Sequence, residues 1–197
     1  MNKPTTLPPV EIPAVRTIYI FLHGEKDGNK PNPGLSITGV EQVEDARETV
    51  PLPPYPAAII CGTGHRHLET AKFLGLRETR SSILCGVADS SDQLDDNHKI
   101  IRLADGLTLP IENWMIPDTE PFLRSLKDNT ILIAGRPFML GLRYEQAKEG
   151  MAFKIVISQE DSIPPIEKVE IIPLFSPDGN LPERSELEST LIAEATH

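Results

Sequence analysis

Short continuous apolar runs along the chain alternate with segments whose apolar positions recur every three to four residues. Arg16–Leu22 (RTIYIFL) is β-branched and aromatic and predicts a buried strand. Thr38–Val50 predicts a helix: Thr38 and Glu41 make a T-x-x-E capping box, and Val40, Val43, Arg47 and Val50 lie on one stripe. Ala57–Cys61 (AAIIC) reads as a second short buried strand, and His65 to Leu76 as a second helix closed by Gly75. Ser81–Gly86 reads as a third strand, and Ile100–Leu103 as another that turns at Asp105-Gly106, a favoured hairpin dipeptide. A helix over Thr119–Lys127 precedes the strand Thr130–Ala134 (TILIA). The next helix is expected to start at Pro137, run to about Lys148 and stop at Gly150. Phe153–Ser158 and Lys168–Leu174 complete the strands. There is no internal repeat.

This βα alternation implies a three-layer α/β fold, a mostly parallel sheet with helices on both faces. Ligands of such sheets bind beyond the carboxyl ends of the strands, here after Leu22, Ile60 and Ala134. A length of 197 residues favours one domain. The expected division is a proline-rich arm over 1–15, a single α/β domain over 16–176 and an acidic tail over 177–197 with a weak terminal helix. The 19 prolines cluster at 4–13, 31–33, 51–56 and from 110 onward, with none between Pro56 and Pro110. They fall between periodic segments, so they punctuate turns instead of marking a disordered tract.

Charge narrows the function. With 19 basic and 29 acidic side chains the formal net charge is −10, which argues against nucleic acid and against an anionic membrane surface. No apolar run approaches a bilayer span and the N-terminus lacks an apolar signal core, so a cytoplasmic protein is expected. Cys61 and Cys85 each end an apolar stretch and read as small buried hydrophobes. His65-x-His67 beside Cys61 offers a metal-ligand reading, but side chains two apart on a helix face different ways. No metal or other cofactor is expected.

Four sequence pieces carry chemistry. His23-Gly24-Glu25 follows the first strand, then Asn29, then Leu35-Ser36-x-x-Gly39-x-x-Gln42; Arg66-x-x-x-Thr70-Ala71 opens the second helix. An arginine at a helix start opposes the positive end of the helix dipole unless an anion is present. In order and spacing these pieces resemble the histidine phosphatase superfamily, the phosphoglycerate mutase-like proteins. The resemblance covers roughly residues 16–80, with a looser echo around 130–140. It implies that His23 takes up a phosphoryl group, that Arg66 clamps the phosphate and that Asn29 adds a hydrogen bond. Gly24 would let the backbone approach the anion.

Two positions depart from the family's pattern. Its arginine before the nucleophile is Leu22 here, and its second histidine is Gly135 in Ala134-Gly135-Arg136-Pro137. Arg136 and His65 are the candidates to restore charge. Asp89 is the candidate general acid, with Asp92 and Glu112 as alternatives. The expected ligand is a small phosphorylated molecule or inorganic phosphate. The expected activity is phosphoryl transfer of the phosphomonoesterase or mutase type through a phosphohistidine. The alternative is a degenerate pseudophosphatase that binds a phosphate, a phosphosugar or a partner protein without chemistry. The excursion between residues 86 and 120, with Trp114, is where specificity would lie.

Overall fold

The computed structural model describes residues 15–28, 32–86, 98–102, 108–112, 115–160 and 166–190. Seven strands form one mixed sheet: β1 (Val15–Leu22), β2 (Ala58–Cys61), β3 (Arg80–Ser81), β6 (Thr130–Ala134), β7 (Ala152–Glu160), β8 (Ile166–Phe175) and β9 (Ser185–Thr190). Their order is β3-β2-β6-β1-β7-β8-β9. From β3 to β1 the pairings are parallel. From β1 through β7 and β8 to β9 they are antiparallel. β4 (His98–Arg102) and β5 (Thr108–Glu112) form a separate antiparallel pair, and the turn expected at Asp105-Gly106 lies outside the described residues.

The alternation of each strand sorts its side chains to two faces. Ile18, Ile20 and Leu22 of β1 pack with Leu132 and Ala134 of β6 and Phe153, Ile155 and Ile157 of β7. That face is covered by α3 (Met115–Ser125) and α4 (Arg136–Gly141) through Leu123, Phe138 and Met139. Phe21, Ile131 and Ile133 point the other way, against Val43, Ala46 and Val50 of α1 (Ile37–Thr49) and Ala71 of α2 (His65–Phe73). The three-layer α/β arrangement is therefore as expected, with helices on both faces.

Several elements differ from the sequence expectation. Ser36, two residues before Thr38, caps α1, its hydroxyl accepting from the Gly39 amide. Of the stripe only Val43 and Val50 are fully buried; Ala46 joins them and Arg47 is exposed. Of Ser81–Gly86 only Ser81 is strand, and Ile83–Cys85 form a short 3-10 turn, because strand pairing with β2 ends at Ser81. α3 begins at Met115, four residues early: Pro117 falls in the first turn, where its missing N–H has no intrahelical partner to lose. α4 ends at Gly141 and not near Lys148. The chain leaves the helix through Leu142 and then Arg143, at φ 58°. Tyr144 and Ala147 are buried four and seven residues after the buried Leu140, a spacing that imitates a longer helix. The acidic segment after Pro177 supplies β9, an edge strand, and residues 191–197 lie outside the described residues. The segment pairs with β8 and sets Glu186 2.7 Å from Lys168 and Arg184 3.4 Å from Glu170. Charged edges of this kind discourage further strand addition.

One polar group lies inside the apolar layer. Arg16 of β1 donates to Glu167 of β8 at 2.6 Å and to the Leu126 carbonyl at 3.0 Å. Arg124 of α3 pairs with the same Glu167 and, at 2.6 Å, with Glu120. Arg16 and Glu167 are 9% and 8% exposed, so this network ties β1, β8 and α3 together away from water. Among the described residues, no helix is long and apolar enough to cross a membrane.

Candidate functional site

The carboxyl ends of β1, β2 and β6 are cross-linked by backbone. The His23 amide donates to Ala134, Gly62 to Ile133 and Gly135 to Cys85, while Gly150 donates to the His23 carbonyl. The residues immediately after these strands are thereby gathered at one place.

Two of the sequence motifs are packing devices for this place. A Cβ at Gly24 would lie 2.2 Å from the Gly39 carbonyl oxygen, and one at Gly39 would lie 2.1 Å from that of Glu25. Neither backbone contact can yield to a side-chain rotation, so both positions must be glycine for α1 to seat on the loop after β1. The remaining motif residues fasten Glu25. Its amide donates to Gln42 Oε1 at 2.9 Å, its carboxylate accepts from the Ser36 hydroxyl at 2.9 Å, and its carbonyl accepts from the Ser36 amide. On α2, the Thr70 hydroxyl donates to the Arg66 carbonyl at 2.7 Å and Ala71 is buried in the core. Asn32 Oδ1 accepts from the His65 amide, and Glu69 accepts from the Leu35 amide. Asn32 has no place in the motif reading. It satisfies the start of α2, where an Asx side chain is a natural partner for orphan amides.

His23 and Arg66 meet at the centre. Both are nearly buried, at 5% and 6% exposure. His23 Nδ1 lies 2.9 Å from the Gly24 carbonyl oxygen, which can only accept, so Nδ1 carries the proton. Nε2 then presents a lone pair, and Arg66 Nε donates to it at 3.1 Å. This is an imidazole held with its nucleophilic nitrogen facing a guanidinium.

A third side chain belongs to this group. His67 is fully buried, and its ring stands edge-on to that of His23 with centroids 4.9 Å apart. The sequence reading placed His67 only in a metal pair, whereas its informative company is the glycine-dense stretch Cys61-Gly62-Thr63-Gly64 just before it. Burial holds the His67 imidazole well below its usual range; the nearby His23 and Arg66 push the same way, and the Gly64 backbone opposes them. His67 is therefore neutral in the folded protein at pH 7. Below about pH 6.5 the unfolded chain takes up a proton there that the folded chain refuses. Stability from this residue is present above that value and lost as pH falls toward the folded value, by up to about 1.4 kcal/mol per pH unit. Melting at pH 7 and pH 5 is expected to show a clear drop for the wild type and a smaller one for His67→Leu. Equal drops would place the acid sensitivity elsewhere.

The other expected site residues are distributed differently. Arg136 follows Gly135 directly as the first residue of α4 and is half-buried. The side chain of His65 is exposed, and its amide donates to Asn32 Oδ1. Leu22 is 2% exposed within the core and offers the site no charge. Asn29, Asp89, Asp92 and Trp114 lie outside the described residues, and of Glu112 only the backbone is described. Cys61 and Cys85 are both buried, and burial raises both thiols, Cys85 to about 12. They are inert apolar packing at neutral pH. Among the described residues, no group of three or more histidine, cysteine or carboxylate side chains could hold a metal ion.

No protein-family model matches the chain, and no curated protein does. Solved structures do. A mycobacterial glucosyl-3-phosphoglycerate phosphatase superposes with a TM-score of 0.50 at 13% identity, over 73% of this chain and 91% of the other. A single-substitution variant of TTHB049 from Thermus thermophilus also gives 0.50, at 16% identity, over 71% and 92%. These likenesses show a phosphoglycerate mutase-like α/β fold in divergent form.

Proposed function

We propose that, on this fold, the chain is a histidine phosphatase-like protein that binds a phosphate monoester beyond β1, β2 and β6. His23 is the phosphoryl acceptor in this reading. The observation that carries it is the pair of bonds on the His23 ring: Nδ1–H held by the Gly24 carbonyl, Nε2 facing Arg66. An arriving phosphate draws the Arg66 donors from Nε2 to its own oxygens, because charge-assisted bonds to an anion are stronger than a bond to a neutral ring nitrogen. The lone pair this frees attacks phosphorus as the bond to the ester oxygen breaks. That oxygen takes a proton from a carboxylic acid, which we assign to Asp89. Water then attacks the phosphohistidine, giving its proton to the Asp89 carboxylate as the P–N bond breaks, which releases inorganic phosphate and restores both the imidazole and the acid. Gly24, Asn29 and Arg136 complete the phosphate contacts. A protein of the same fold is a glucosyl-3-phosphoglycerate phosphatase, which supports a small phosphorylated ligand.

A second reading, binding without turnover, is favoured by Leu22 and Gly135. Two corners that carry cationic groups in phosphoglycerate mutase-like proteins hold here a buried core leucine and a glycine. At about 1.5–3 kcal/mol per charge-assisted bond, their loss corresponds to roughly two to four orders of magnitude in binding or rate.

Melting in inorganic phosphate tests the common part of both readings. Saturating phosphate, at about 100 times its dissociation constant, stabilises a single site by about 2.7 kcal/mol, a rise of roughly 5–11 °C for a chain of this size. Arg66→Ala is expected to lose most of that rise. A wild-type protein whose melting is indifferent to phosphate and to vanadate would overturn the proposal.

A further inference from the structure

The His67 ring occupies a cavity made by missing side chains. A Cβ at Gly62 would lie 2.7 Å from His67 Cδ2, one at Gly64 2.9 Å from Nδ1, and one at Gly86 2.5 Å from Nε2. Contacts under 3.0 Å to a ring walled in on several sides cannot be relieved by rotating it, so each of these positions has to be glycine while His67 is in place. A fourth glycine opens the space beyond the ring. A Cβ at Gly135 would lie 3.5 Å from His67 Nε2 and 3.7 Å from His23 Nε2. One point beside the Gly135 Cα therefore lies within 3.7 Å of both nitrogens, so the two face the same space.

Burying an imidazole this way is costly unless its polar atoms are used. Among the described residues, neither His67 ring nitrogen has a hydrogen-bond partner of ordinary geometry, and the Gly64 backbone is the polar neighbour of Nδ1. A core position wanting only volume is filled more cheaply by leucine or methionine. The polar atom facing the shared space is Nε2, and across that space stands the nitrogen that takes up phosphorus in the proposed reaction.

We propose that His67 is a ligand-binding residue of this site: its Nε2–H donates to an oxygen of the phosphoryl group held at His23 Nε2. The inference rests on the phosphate-binding reading and adds a residue to it. A neutral donor suits the position. It contributes a hydrogen bond to the anion without adding a second positive charge beside Arg66. Because a phosphate oxygen only accepts, anion binding selects the tautomer of His67 with its proton on Nε2.

Histidine-ring 1H–15N spectra of the wild-type protein during titration with inorganic phosphate read this directly. The expected result is that the His67 signals move with the same half-saturation as those of His23 and end in the Nε2–H tautomer. His67→Leu, which keeps the volume, is expected to bind phosphate about ten- to hundredfold more weakly. Combining His67→Ala with Gly135→His, which returns an imidazole from the opposite wall, is expected to recover part of that loss relative to His67→Ala alone. The inference is overturned if His23 responds to phosphate while His67 does not, or if His67→Leu binds as tightly as the wild type. Failure of the underlying reading looks different: neither ring responds, phosphate leaves melting unchanged, and the inference falls with it.

Discussion

Replacing His23 with alanine is expected to lower hydrolysis of an aryl phosphate by at least about 10³-fold, roughly 4 kcal/mol of transition-state stabilisation. The size follows from what the ring does. The Gly24 carbonyl fixes its proton on Nδ1 and leaves Nε2 as the lone pair beside Arg66. Alanine removes the atom that forms the new bond, so only ligand binding is left to assist attack by water. His23→Asn makes the complementary comparison, returning polarity to the site without a nucleophilic ring nitrogen. It is expected to be as inactive as alanine while binding phosphate more nearly like the wild type. The measurement is release of aryl alcohol by each protein, purified in parallel. Equal rates for wild type and His23→Ala would remove the phosphohistidine step and leave binding without turnover, the reading that Leu22 and Gly135 favour.

The largest loss of stability is expected at Glu167. Its carboxylate holds two arginines from different elements, Arg16 of β1 and Arg124 of α3, and its side chain is 11% exposed. Glu167→Ala leaves Arg16 buried with only carbonyl partners, and Arg124 with Glu120. Removing one partner from a buried pair costs about 3–5 kcal/mol, because the remaining charge stays desolvated. For a chain of this length that is a fall in melting temperature of roughly 6–20 °C. Glu167→Gln keeps an acceptor and is expected to fall between the two. A drop of under about 2 °C for Glu167→Ala would mean that the arginines reach water without cost, contrary to their burial.

The central architecture was legible because the strands that build it are continuous apolar runs. β1, β2 and β6 sit where RTIYIFL, AAIIC and TILIA place them. Errors arose where burial and periodicity part company. Leu140, Tyr144 and Ala147 are buried at helix-like spacing, but the last two lie beyond the end of α4. β9 alternates correctly, yet its single apolar residue, Leu187, lies among acids that find Lys168 and other partners only through tertiary pairing. The site divides in the same way. His23 and Arg66 stand in motifs because strand ends and helix starts determine their positions. For His67 the local signal is only the glycine-dense stretch before it; the rest of its setting is made by Gly86 and Gly135, which lie on other elements.

The position of β1 in the sheet has a consequence for how the chain is made. This strand is synthesised before both of its neighbours, β6, beginning at Thr130, and β7, beginning at Ala152. Until those segments emerge, an apolar strand bearing the His23 loop has no edge to join. Pairings so distant in sequence form slowly, after the entropy of closing a long loop has been met, and the waiting strand is open to aggregation meanwhile. A nascent chain stopped before Thr130 is therefore expected to need a chaperone, and the site to assemble only when β6 and β7 arrive.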